Sequence, residues 1–185
     1  MPAPHDVSAA RAIIDFWFSE RAEECWFRVD PDFDREITNR FGSLYEQAAS
    51  GELSSWLKSA ETALALAILL DQFPRNMFRS TPRAFESGDQ ALEVSRIAIT
   101  NAYDLQRSPK ERTFFYLPLM HSEDMIDQTE CVQHYRRLDD AENLRFAEEH
   151  RDIIARFGRF PHRNAILGRP SSEEEQEFLK THPGF

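Results

Sequence analysis

Apolar residues recur along this chain at the spacing of α-helices and almost never alternate with polar ones. Residues 7–18 give an apolar-rich first helix with Asp6 as a cap. Asp30-Pro31 reads as an N-cap followed by proline at the first helical position. Behind it, Phe33, Ile37, Phe41, Leu44 and Ala48 share one helical face, and Gly51 ends the element. Gly42 inside that helix costs about 1 kcal/mol relative to alanine unless packing needs it. A third helix runs from Leu53 or Ser59 to Gln72 and is apolar almost all round from Ala63 to Leu70, the pattern of a central, buried rod. Pro74 is expected to stop it by forcing Phe73 into an extended conformation.

Residues 89–103 predict another helix, capped by Asp89. Ser108-Pro109-Lys110-Glu111 joins a capping box to a proline at the first helical position. Pro118 is expected to bend or divide the helix that follows, which continues to about Gln128. A short helix at 130–138 leads to a long one at 140–157. Ser171 or Ser172, with Glu174 or Glu175 three residues on, opens a last helix ending before Pro183. No period-two alternation and no Asn-Gly or Asp-Gly turn points to strands. The expectation is a single all-α domain, 1–185, of eight or nine helices stacked as antiparallel pairs.

Composition supports a core of that kind: 41% of the 185 residues are hydrophobic, and 15 are Phe. The longest uncharged apolar run, Thr62 to Leu70, is far shorter than the roughly 20 residues that span a bilayer, so no membrane role is expected. The N-terminus lacks a basic flank followed by a long apolar stretch, and Cys25 and Cys131 share no metal or redox spacing. A cytoplasmic protein is expected. The net charge of −10 disfavours nucleic acid as a partner.

The distribution of positive charge narrows the picture. Between Gln72 and Phe85 stand Arg75, Arg79 and Arg83, and between Ile153 and Ser172 stand Arg156, Arg159, Arg163 and Arg169, with no acid in either stretch. Guanidinium groups offer forked donors to carboxylate or phosphate. Both stretches also echo one another: Phe73-Pro74-Arg75-Asn76 and Phe160-Pro161-His162-Arg163-Asn164 each set Phe-Pro after a predicted helix and follow it with Arg-Asn. The leading expectation is therefore a pocket in which Arg75, Arg79, Arg159 and Arg163 hold an anionic small molecule or an acidic peptide, oriented by Asn76 and Asn164.

Three further features bear on chemistry. Asp71 lies on the same side of the apolar rod as Ile68 and Leu64, where a carboxylate needs a partner. His150 shares its face with Phe146, Ile153, Ile154 and Phe157, the setting of a satisfied core histidine. His121, flanked by Glu123 and Asp124, and His162 are candidates for general acid–base work assisted by Glu123 or Asp71. A hydrolase is thus the alternative to a binding domain, and an interaction scaffold locked by arginine–carboxylate pairs is a third reading. The spacing is not that of a zinc motif, and nucleotide-binding glycine loops are absent, so neither metal nor cofactor is expected.

LALAILLDQFPRNMFR, FFYLPLMHSED and HRDIIARFGRFPHRNAILGR, in that order, resemble the signature strings of a bacterial family of unknown function, number 924. The FWF and WF aromatics and the closing RPSSEEEQEFL also fit. The resemblance covers nearly the whole chain. It implies a helical stack similar to tetratricopeptide folds and carries no reaction, substrate or cofactor.

Overall fold

Most helices in the computed structural model, which describes residues 3–182 and 184, begin where a side chain takes up their free amides. Helix α1 (Pro4–Trp17) has the Asp6 carboxylate on the amide of Ala3, and the short α2 (Glu20–Glu23) is capped by Ser19. Asp30 accepts from the amides of Asp32 and Phe33 at 3.0 Å and starts α3 (Pro31–Ala49). Phe33, Ile37, Phe41 and Ala48 are buried as their spacing predicts. Tyr45, one turn beyond Phe41, completes the inner face where Leu44 was expected, and Leu44 is half-buried.

A 3₁₀ turn at Ser54–Lys58 precedes α4 (Ala60–Ala67), capped by Ser59. Pro74 does not stop this rod. A π-helical stretch, Ile68–Gln72, carries it without a break into α5 (Phe73–Met77). There the amide of Phe73 reaches back five residues to the Ile68 carbonyl, and the wider turn accommodates a proline ring that a regular α-turn would push against the Leu70 carbonyl. The Leu70 carbonyl accepts instead from the Ser87 hydroxyl at 2.7 Å.

Ser87 so engaged does not cap α6 (Gly88–Thr100), and Asp89 sits in that helix's first turn. Ser108 and Glu111 exchange bonds as the capping box predicts at the start of α7 (Pro109–Met120), which contains Pro118. The next helix does not follow directly. Residues 121–124 leave the helical path, the side-chain amide of Gln128 donates through Nε2 to the carbonyls of Met120 and Ser122 at 2.7 Å each, and Asp124 caps α8 (Met125–Leu138). Asp139, in the left-handed conformation with φ 58°, turns the chain into α9 (Ala141–Phe157), which Asp140 caps. Ser172 and Glu175 form the capping box of α10 (Glu173–Leu179). With α4 and α5 counted as the one rod they form, nine helices and no strand occur among the described residues. The chain is all-α. None of these helices is long and apolar enough to cross a membrane.

The chain forms two compact units, Met1–Arg79 with Arg83–Pro118, and Ser80–Pro82 with Leu119–Phe185. In the first, α1 packs on α4 and α3 on α5. Trp17 there lies within 6.1 Å, ring centre to ring centre, of Phe33, Phe73 and Phe114. The second is built on the α8–α9 hairpin, with α10 set against the 3₁₀ turn Pro161–Arg163.

Candidate functional site

In the first unit, the end of the rod is already rich in internal pairs. Asp71, buried, accepts from the amide side chain of Gln72 at 2.6 Å and from Arg75 at 3.4 Å. The guanidinium of Arg75 also lies 5.5 Å from the Phe85 ring centre. Asp34, one turn into α3, gathers the next two predicted residues: Asn76 donates to it at 2.8 Å, and Arg79 donates through Nε at 2.5 Å and a terminal nitrogen at 3.0 Å. Asn76 and Arg79 are therefore spread across one carboxylate.

The second Phe-Pro sits in a different local structure. Helix α9 has ended at left-handed Gly158, Phe160 is extended, and Pro161–Arg163 forms a single 3₁₀ turn. The first Phe-Pro lies inside a continuous helix, so the likeness in sequence does not extend to the backbone. Arg159 donates to both Glu175 oxygens at 2.7 and 2.8 Å. That hydrogen bond, ahead of every other cause, holds the Glu175 carboxyl down to about 2. Buried Asn164 donates to the Ser171 hydroxyl at 3.1 Å and accepts from Arg169 at 3.0 Å.

Glu123 is committed as well. Arg169 donates to its two oxygens at 2.7 and 3.0 Å, and the amide of Phe160 donates at 2.8 Å. Burial pushes its carboxyl up, but these bonds and the charges of Arg169 and Arg163 outweigh that and hold it below the usual glutamate value.

Around the Phe160 ring, the second unit collects side chains that carry or accept positive charge. Arg163, itself buried, stacks its guanidinium 4.3 Å from the ring centre and donates to the His121 carbonyl at 3.0 Å. His150 lies edge-on at 5.5 Å and His162 at 5.6 Å, and the rings of His121 and His150 are 6.4 Å apart. His150 donates from Nδ1 to the Phe146 carbonyl at 2.8 Å. Burial first, and then the positive neighbours His121, Arg163 and His162, lower its pKa to about 3. His150 is thus neutral at physiological pH, while His121 and His162 are only half-buried.

All four of these side chains stood out in sequence. His150 read as a core histidine, which its burial and internal bond match, and Phe160 read as part of the Phe-Pro that follows a predicted helix. The signal that could have joined them is the position of His150 one turn before Ile154, on the face of α9 that turns inward. Among the described residues, no group of three or more His, Cys, Asp or Glu is arranged to hold a metal ion. The arrangement sets half-buried imidazoles beside a guanidinium, hydrogen-bonding groups drawn together in one unit.

A family model for bacterial proteins of unknown function, DUF924, matches residues 13–183. The chain belongs to the DUF924 family. The chain is also similar over nearly its whole length to a solved structure: a protein of unknown function from Agrobacterium tumefaciens is 42% identical, with a TM-score of 0.91, and the match covers 95% of this chain and 98% of that one. No curated protein matches. For the DUF924 fold as it stands here, the histidine–arginine cluster and the Asp34 and Glu175 pairings are local features of known geometry.

Proposed function

We propose that this DUF924 chain is a cytoplasmic helical domain that binds the anionic group of a small molecule or acidic peptide, and that the group sits against His121, His162 and Arg163. The observation that carries this reading is the meeting of three segments within a single unit: His150 and His162 lie against the Phe160 ring with Arg163 over it, and His121 joins them through its ring near that of His150 and its carbonyl on Arg163. Arg163 carries a permanent positive charge beside the half-buried imidazoles of His121 and His162, a setting in which an incoming anion gains electrostatic energy. A guest at Arg79 or Arg159 would have to displace Asp34 or Glu175, Arg75 is paired with Asp71 in the first unit, and the buried amide of Asn164 already serves Ser171.

Those displaced-carboxylate contacts favour a second role for part of the set: Arg79 with Asn76, and Arg159, brace their own units. The hydrolase alternative asks for His121 or His162 to work with Glu123 or Asp71. Both Glu123 oxygens are taken by Arg169, which lowers its worth as a base.

A thermal-shift titration with phosphate, sulfate and succinate tests the proposal. A bound anion raises Tm progressively with its concentration. The rise is expected in the wild type and lost in Arg163→Gln, and His162→Asn, at a half-exposed position, is expected to weaken it. Equal rises in wild type and both variants would remove the cluster from anion binding.

A further inference from the structure

A cavity of about 510 Å³ opens beside the cluster, entirely within the second unit, and His162 belongs to both. Aromatic and aliphatic side chains share its walls with charged and polar ones. Phe157 and Phe178 face each other with ring centres 5.0 Å apart, the His182 ring stacks on Phe178 at 4.4 Å with the planes within 4°, and Ile153 adds an aliphatic patch. Phe157, Phe178 and Ile153 are half-buried, so each keeps surface free for a guest.

The charged residues that line the cavity, Glu149, Asp152 and Arg156, are each paired. Glu149 is held by Arg145, and Asp152 by Arg151, on the same helix, and Arg156 pairs with Glu174 while lying 4.7 Å from the Phe157 ring centre. Half or more of the Asp152 and Arg156 side chains is exposed. The other polar lining residues are half-buried His162 and exposed Thr181 and His182. A space of several hundred Å³ with aromatic wall residues and polar groups beside them has the form of a small-molecule site.

We infer that this cavity receives the ring of an aryl anion, an aryl phosphate monoester or aryl carboxylate, whose charged group meets His162. This rests on the anion-binding reading above and deepens it by assigning the uncharged part of the ligand. The flat ring stacks among Phe157, Phe178 and His182, as aromatic pairs do at 4.5–7 Å. The anionic group points towards the shared histidine, and the carboxylates of Glu149 and Asp152 are engaged by Arg145 and Arg151. A linear apolar tail would use the same volume without the stacking, so ring-bearing ligands are preferred over aliphatic ones.

Calorimetric titration of the full chain compares phenyl phosphate with inorganic phosphate and benzoate with acetate. Burying a phenyl ring is expected to tighten each aryl ligand about tenfold or more over its small counterpart. Ile153→Phe fills the cavity without removing a wall, and Phe157→Ala removes one. Both are expected to abolish the aryl advantage and leave phosphate binding as in the wild type. Phosphate and phenyl phosphate binding with equal affinity overturns the inference and leaves the anion site standing, as does an aryl advantage that survives in both variants. If neither phosphate nor phenyl phosphate binds, the anion reading and this one fall together.

Discussion

The Ser87 hydroxyl donates at 2.7 Å to the carbonyl of Leu70, the acceptor for which Pro74, four residues on, has no amide hydrogen. That single bond explains how a buried rod passes through a proline. The π-helical turn before Pro74 opens the backbone, and a serine from the start of α6 satisfies what the turn exposes. Ser87 is itself almost fully buried, so water has little access to the carbonyl if the hydroxyl is removed.

Ser87→Ala is therefore expected to destabilise the fold by about 1–3 kcal/mol, the cost of stranding a buried acceptor. Urea unfolding measures it. In a Pro74→Ala background, residue 74 regains an amide, and the cost of Ser87→Ala shrinks. A double-mutant cycle with no coupling between the two positions would contradict this account.

His150 makes stability depend on pH in a definite direction. Its folded pKa is about 3 against 6.5 when free, so between those values the unfolded chain binds a proton that the folded chain refuses. The contribution is fully present above pH 6.5 and is lost as pH falls towards 3, with a slope of up to about 1.4 kcal/mol per pH unit. His150→Gln is expected to flatten the curve of unfolding midpoint against pH by one proton over that range. An unchanged slope would show that the imidazole is protonated in the folded state.

Glu175 behaves as a paired carboxylate. Held at about 2 by Arg159, against 4.5 when free, it contributes stability above pH 4.5 that is lost as pH falls through 2. Arg159→Ala is expected to lower Tm by about 5 °C at pH 7, and to have a smaller effect at pH 3. Equal losses at both pH values would assign the effect to packing instead.

Asp34 is the clamp of the first unit. Asp34→Ala leaves Asn76 and Arg79 without their shared acceptor and is expected to cost about 1–3 kcal/mol. Asn76→Ala in the Asp34→Ala background is then expected to cost less than it does alone. Phosphate that restored the Tm of Asp34→Ala, while leaving the wild type unaffected, would show that the vacated guanidinium can accept an outside anion.

The arginine-rich stretches show where local reading ends. Their sequences announce a concentration of guanidinium groups, and they carry no acid within them. The acids come from elsewhere: Asp34 lies 45 residues before Arg79, and Glu123 lies 46 before Arg169. Sequence proximity of opposite charges is a guide to helix-surface pairs at three or four residues, and it carries no information about partners at that distance.

The amino-acid sequence by itself determined the helices and most of their starts, because periodicity and capping act over one or two turns: Asp30 and Ser108 each find their amide partners within three residues. Tertiary structure decided the rest. Whether Pro74 ends a helix depended on a hydroxyl 17 residues from Leu70, and whether His121 meets Arg163 depended on contacts 42 residues apart. Such groups meet only when packed faces bring them together, and the same packing removes the water that sets the charge of His150.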